Sequence, residues 1–282
     1  MSRGNTAMAR KSSKDILREF CYDPLIYSYD GSLEGLFSAI FESYSRHENP
    51  AEVCPAANLQ TSLLYQVVDV ETNMDYAVRV RDKLLSCFGE QEYERIKMAY
   101  LSDDPVKDTV ICHYVRHLMR AGKAGMYDAA HPDTAAFAMV WRPVFNERHR
   151  MLQFLRFSLM EGGVYFARIN PNANVVPLIM EHFKNRFNDQ PFLIYDEVHH
   201  IAGLYDLHDV QLISTDEINL PDLADAEREW REMWRTFYDA ICNQQRLNPA
   251  LRRSFMPKRL WGNLTELNRV DPVPLGTQQA TS

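Results

Sequence analysis

A change of hydrophobic period along the chain limits the fold more than any other feature. From about residue 73 to 152 apolar side chains recur at helical spacing almost without interruption, and β-rich runs flank that stretch on both sides. Such a chain fits neither an all-helical bundle nor an all-β sandwich; it calls for a sheet with helices packed on it. Pro105, Gly122, Gly125 and Pro132 divide the central stretch into four helices. The predicted fold is α+β: an antiparallel sheet of about five to seven strands with a packed helix, plus a large all-helical insert at about 73–152.

The flanks supply the strands. Leu25 to Tyr29 is β-rich, Asp30-Gly31 is a turn dipeptide and Ser32 is a good helix N-cap. Beyond it Leu33, Leu36, Phe37, Ile40, Phe41 and Tyr44 share one helical face. Asp30 and Glu34 lie at the positive end of that helix, where a carboxylate is favoured without any catalytic purpose. Leu63 to Val70 reads as a strand. After the helices, Phe154 to Leu159 and Val164 to Ile169 read as strands joined by the hairpin signal Met160-Glu161-Gly162-Gly163. Val175, Ile179, Phe183 and Phe187 then mark an amphipathic helix, and three strand candidates follow at Phe192 to Tyr195, Ile201 to Tyr205 and Val210 to Ser214. A last helix, about Leu223 to Asn243, aligns Ala226, Trp230, Met233, Trp234, Phe237 and Ile241, and the two tryptophans read as core. The expected organisation is a mobile basic arm at 1–20, a single domain at 21–267 and a disordered tail at 268–282.

Charge narrows the partners. The formal net charge is -7, so contact with a phosphate backbone must come from local clusters. Two exist: Arg3, Arg10, Lys11, Lys14 and Arg18, then Arg246, Arg252, Arg253, Lys258 and Arg259. The five cysteines form no CxxC pair and are read as reduced thiols. No apolar run is long enough for a membrane span, so a cytoplasmic protein without membrane contact is expected.

The sequence contains no GxxxxGK[ST] loop, GxGxxG, GxSxG or HExxH, and no CxxxCxxC triplet of the kind that holds a radical-SAM cluster. Neither a cofactor nor a metal is expected. His113 and His117 share a helical face, but Cys112 points about a hundred degrees away from it. His199 and His200 are adjacent, so at most one joins Asp196. His182 and Arg186, four apart on a helix, project together. Facing Arg156 or Arg168 from the hairpin, with Asp196 as orienting carboxylate, they would form an anion or phosphate pocket. Within it His182 and Asp196 are the candidate acid–base pair. Arg252, Arg253, Lys258, Arg259 and Trp261 interleave cations with an aromatic ring, a pattern that stacks a base while holding phosphates, or caps a core with long apolar stems.

Three groups of residues carry a family likeness. Tyr29-Asp30-Gly31-Ser32-Leu33-Glu34-Gly35-Leu36 leads into Ala39-Ile40-Phe41-Glu42-Ser43-Tyr44. His149, Phe154-Leu155-Arg156-Phe157, Ile169-Asn170-Pro171, His182-Phe183, Arg186-Phe187 and Ile194-Tyr195-Asp196 follow in the middle. Phe255-Met256-Pro257-Lys258-Arg259-Leu260-Trp261 closes the set at Glu266. Together they resemble a domain-of-unknown-function family of DNA-metabolism proteins encoded beside a radical-SAM enzyme, with related domains fused to uracil-DNA glycosylases. The sequence departs from that pattern at Val198-His199-His200, where an arginine is usual. The resemblance implies a DNA-repair or DNA-modification accessory protein that binds DNA or a nucleotide and works with a separate radical-SAM protein. Two alternatives stand beside it: a free-standing DNA-processing enzyme, glycosylase- or hydrolase-like, and a protein–protein scaffold docking through Trp230 and Trp234.

Overall fold

A computed structural model describes residues 12–13, 22–60, 63–216, 218, 222–241 and 248–268. Most of the expected arm and tail, and with them Arg3, Arg10, Lys11, Lys14, Arg18 and Arg246, lie outside the described residues. The structure is α+β. Where the sequence predicts one domain over 21–267, the chain forms two compact units divided between Phe145 and Asn146.

The first unit opens with β1 (Asp23–Tyr29), α1 (Leu33–Ser45), β2 (Pro50–Pro55) and β3 (Gln66–Asp69). Both neighbours of β1 run parallel to it, in the order β2-β1-β3, so the strands from Leu25 onward form a separate parallel sheet. Proline at both ends of β2 masked that strand in the sequence. The Ser32 hydroxyl caps α1 by accepting the Gly35 N–H at 2.9 Å. Asp30 accepts from the Ser32 N–H and hydroxyl and from Thr72 (2.7 Å), and these donors hold its carboxyl below the usual range.

The central helices are α2 (Met74–Phe88), α3 (Glu90–Tyr100), α4 (Lys107–Ala121) and α5 (Pro132–Phe154), four as expected. The first three, with the beginning of α5, build the core of this unit rather than a separable insert. Leu36, Leu84, Ile96, Ile111 and Leu118 are fully buried, and Tyr114 stacks on Phe137 at 3.8 Å. Buried polar groups find partners: Glu92 accepts from Tyr114 (2.7 Å) and Arg95 (2.7 Å), and the Thr109 hydroxyl bridges the N–H and C=O of Val53.

The second unit holds a five-stranded sheet, β4 (Ser158–Leu159), β5 (Tyr165–Ile169), β6 (Phe192–Asp196), β7 (Ile201–Tyr205) and β8 (Val210–Ser214), in sequential order. It is mixed, which corrects the expected antiparallel sheet. The helix α6 (Val176–Arg186) crosses between β5 and β6, and a helical crossover returns the chain parallel. The other three pairings are antiparallel. The hairpin signal forms as read: Gly162 and Gly163 take φ of 90° and 83°, and the Met160 N–H donates to the Val164 carbonyl at 3.0 Å. Gly203 on β7 lets α6 pack closely, since a Cβ there would lie 2.4 Å from the Met180 sulfur.

α7 (Asp225–Ile241) and α8 (Pro249–Phe255) complete this unit. Here the expected core placement of the tryptophans is corrected. Trp230 is 64% exposed, Trp234 44% and Phe237 51%, while it is Arg231 on the adjacent flank that is buried. Arg231 pairs with Glu227 at 3.0 Å and donates to the Ser158 hydroxyl, so the polar flank of α7 faces the protein. Among the described residues no helix is long and apolar enough to cross a membrane.

Candidate functional site

In the second unit the last turn of α5, the hairpin, α6 and β6 enclose a cavity of about 370 Å³. Its walls are aromatic: Phe157, Tyr165, Phe183, Phe187 and Phe192, with Gln153, Gln190, Arg156 and Arg186 as the polar lining. Phe157 organises the rings, meeting Phe183, Phe187 and Phe192 edge-on at 5.3, 5.3 and 5.4 Å. Sequence periodicity supplies two of these walls, because Phe183 on α6 and Phe187 at its C-cap are one turn apart.

The two arginines differ in how they are held. Arg156 donates to Glu266 at 3.1 Å and to the carbonyls of Gln153 and Leu155 at 3.2 and 3.3 Å, so its guanidinium is fixed before any guest arrives. Glu266 also accepts from the Trp234 indole at 3.4 Å. Arg186 is exposed, lies 5.7 Å over the Phe187 ring and has no acidic partner among the described residues. Arg156 and Phe157 also line an adjoining shallow cavity of about 420 Å³ that Trp230 and Trp234 border.

The structure thus brings Arg156 and Arg186 together, and the other site residues named from sequence lie elsewhere. His182 is exposed, its ring edge-on to Phe183 at 5.2 Å, and it does not line the cavity. Arg168 pairs with Glu197 at 3.2 Å. Asp196, fully buried at the end of β6, binds His199 instead of His182: its carboxylate accepts the N–H groups of Val198 and His199 and meets His199 Nδ1 at 2.6 Å. The turn that makes this possible, Glu197 to His200, lies between the two expected strands, and His200 adopts φ 55° in it. Arg252 lies 5.8 Å over Trp261, whose indole donates to the Met256 carbonyl at 3.1 Å. Arg253 and Lys258 are exposed. Arg259 is clamped on the buried Glu147 by two contacts of 2.5 and 2.6 Å and donates to the Asn170 carbonyl at 2.8 Å, which ties the closing motif to the Asn170-Pro171 segment.

Of the first unit's histidines, His113 stacks on Tyr22 at 4.4 Å and bonds the Pro50 carbonyl at 2.8 Å. Its expected companion His117 stacks instead on His131 at 3.7 Å. Donor atoms of His117, His131 and Asp133 lie within 4.8 Å of one another. The two rings stack with 21° between their planes, closer to parallel than the radial arrangement of two imidazoles around one ion. Cys54 and Cys112 are buried, and burial pushes both thiols up to about 11, which disfavours the thiolate form.

These features define an α+β protein with an aromatic cavity of about 370 Å³ lined by two arginines. A family model described as "Domain of unknown function (DUF4130)" matches residues 105–266, and the chain belongs to that family. The match spans the cavity and ends on Glu266, the carboxylate that holds Arg156. No curated protein matches the sequence. One solved structure, described as a member of the s1p family of ribosomal proteins, DHH domain, is 11% identical over 68% of this chain and 75% of its own, with a TM-score of 0.22. A likeness that faint carries no argument.

Proposed function

We propose that this protein binds DNA or a nucleotide as an accessory of DNA repair or modification, acting with a separate radical-SAM protein. The observation that carries the binding part is the aromatic cavity of about 370 Å³ with Arg156 and Arg186 in its lining. A flat base stacks on phenylalanine faces whatever its sequence, and a guanidinium grips a phosphate in two directions at once. Trp230 and Trp234 beside the adjoining cavity extend the stacking surface beyond one base. The radical-SAM partner rests on the family likeness alone. The test is affinity for single- and double-stranded oligonucleotides at low salt, alone and with the partner. Arg186→Ala is expected to weaken single-strand binding by about 1–3 kcal/mol, and absence of binding by the unmodified protein under every condition removes the proposal.

A second reading, a glycosylase- or hydrolase-like enzyme, is favoured by one observation. The buried Asp196 orients the His199 ring through Nδ1, the arrangement by which a carboxylate readies an imidazole for proton transfer. It expects His199→Ala to abolish turnover of a DNA substrate with binding retained, and His182→Ala to leave turnover intact. Detectable turnover with the reverse pattern restores His182 as the acid–base residue.

A further inference from the structure

A different cavity, of about 410 Å³, lies in the first unit among α1, α2 and α4. Each helix contributes residues at positions i, i+1 and i+4, so three short ridges face one space. Phe41, Tyr44 and the fully buried Val115 make it apolar. Its charged lining is entirely cationic: Arg79, Lys83 and Arg116. Arg79 and Lys83 are exposed at the rim, Arg79 lying 5.7 Å over the Phe41 ring, and neither has an ion-pair partner among the described residues.

Arg116 is the unusual member. It is only 4% exposed, and one terminal nitrogen donates to the Ser43 hydroxyl at 2.9 Å while Nε has no hydrogen-bond partner. A buried guanidinium without a carboxylate beside it is costly, and an anion in the cavity it lines removes that cost. Glu42 on α1, the neighbour of Ser43 in sequence, is already paired with Arg46 at 2.6 Å. Rings and aliphatic chains dominate the remaining lining, so a sugar would leave its hydroxyls largely unanswered, whereas a hydrocarbon body would not.

We propose that this cavity binds a small organic anion with an apolar body, an aryl or medium-chain acyl carboxylate or phosphate, its headgroup on Arg116 and its entry guided by Arg79 and Lys83. The site is separate from the aromatic cavity of the second unit and does not depend on how that cavity is used. Decanoate is a suitable probe, with 1-decanol as its uncharged counterpart, titrated calorimetrically into the full chain. Saturable decanoate binding is expected, weakened about tenfold or more in Arg79→Glu/Lys83→Glu, whose two sites are exposed and whose fold circular dichroism verifies. Arg116→Met is expected to bind decanoate no better than decanol; should that variant fail to fold, the double variant decides. Absence of saturable binding, equal affinity in the double variant, or decanol binding as tightly as decanoate overturns the proposal.

Discussion

Gly35 shows how much one side-chain position decides. A Cβ there would lie 2.2 Å from an Asp30 oxygen, 2.8 Å from the Tyr29 ring and 2.9 Å from the Thr72 hydroxyl. The bare glycine lets the Asp30 carboxylate fold over the start of α1. Gly35→Ala is therefore expected to destabilise by about 1–3 kcal/mol, against the slight gain alanine brings to a helix, as measured by urea unfolding. A stabilised variant would show that Asp30 simply swings away. A second residue-scale expectation concerns pH. Burial lowers the pKa of His113 and of His117 below their usual 6.5. Between the folded and unfolded values the unfolded chain holds the extra protons, so this contribution to stability is present above pH 6.5 and lost as pH falls below it. His113→Gln should flatten the decline in urea midpoint below pH 6.5; an identical decline in both proteins assigns it to other groups.

Among the elements, α7 separates pattern from placement most clearly. Its apolar stripe was legible from spacing, but periodicity identifies a face and not what covers it. Arg231 turns the polar flank inward through Glu227 and Ser158, and leaves Trp230 and Trp234 outside. Trp230→Ala and Trp234→Ala should each cost under about 1 kcal/mol in chemical denaturation, as exposed side chains do, while weakening single-strand DNA binding where stacking is worth about 1–3 kcal/mol per base. A large loss of stability would mean that the stripe is packed in solution. The hairpin glycines and the helix breaks at Pro105 and at Gly122 to Pro132 were readable because glycine and proline act locally, whereas the break between α2 and α3, at Gly89, was not singled out. The direction of β6 was not, since it depends on where α6 lays the returning chain.

For the whole molecule, charge sets the scale of any nucleic-acid contact. The chain is acidic at -7, and the cavity offers two arginines. With about 0.7 counterion released per single-strand phosphate, the plot of log affinity against log salt should have a slope near -1 to -2. A slope of about -6 or steeper would assign binding to an extended cationic surface and not to this cavity.

The sequence alone settled what is local: the α+β class, the four central helices, the hairpin, the Ser32 cap, and the ordered motifs of the family. Tertiary structure decided which of those motifs meet. Arg156 and Arg186 share one cavity, whereas Asp196 turned to His199 and Arg259 to Glu147. Spacing along a chain fixes which face a side chain occupies, but its partner is chosen by how strands and helices pack, and that choice joins residues far apart in the sequence.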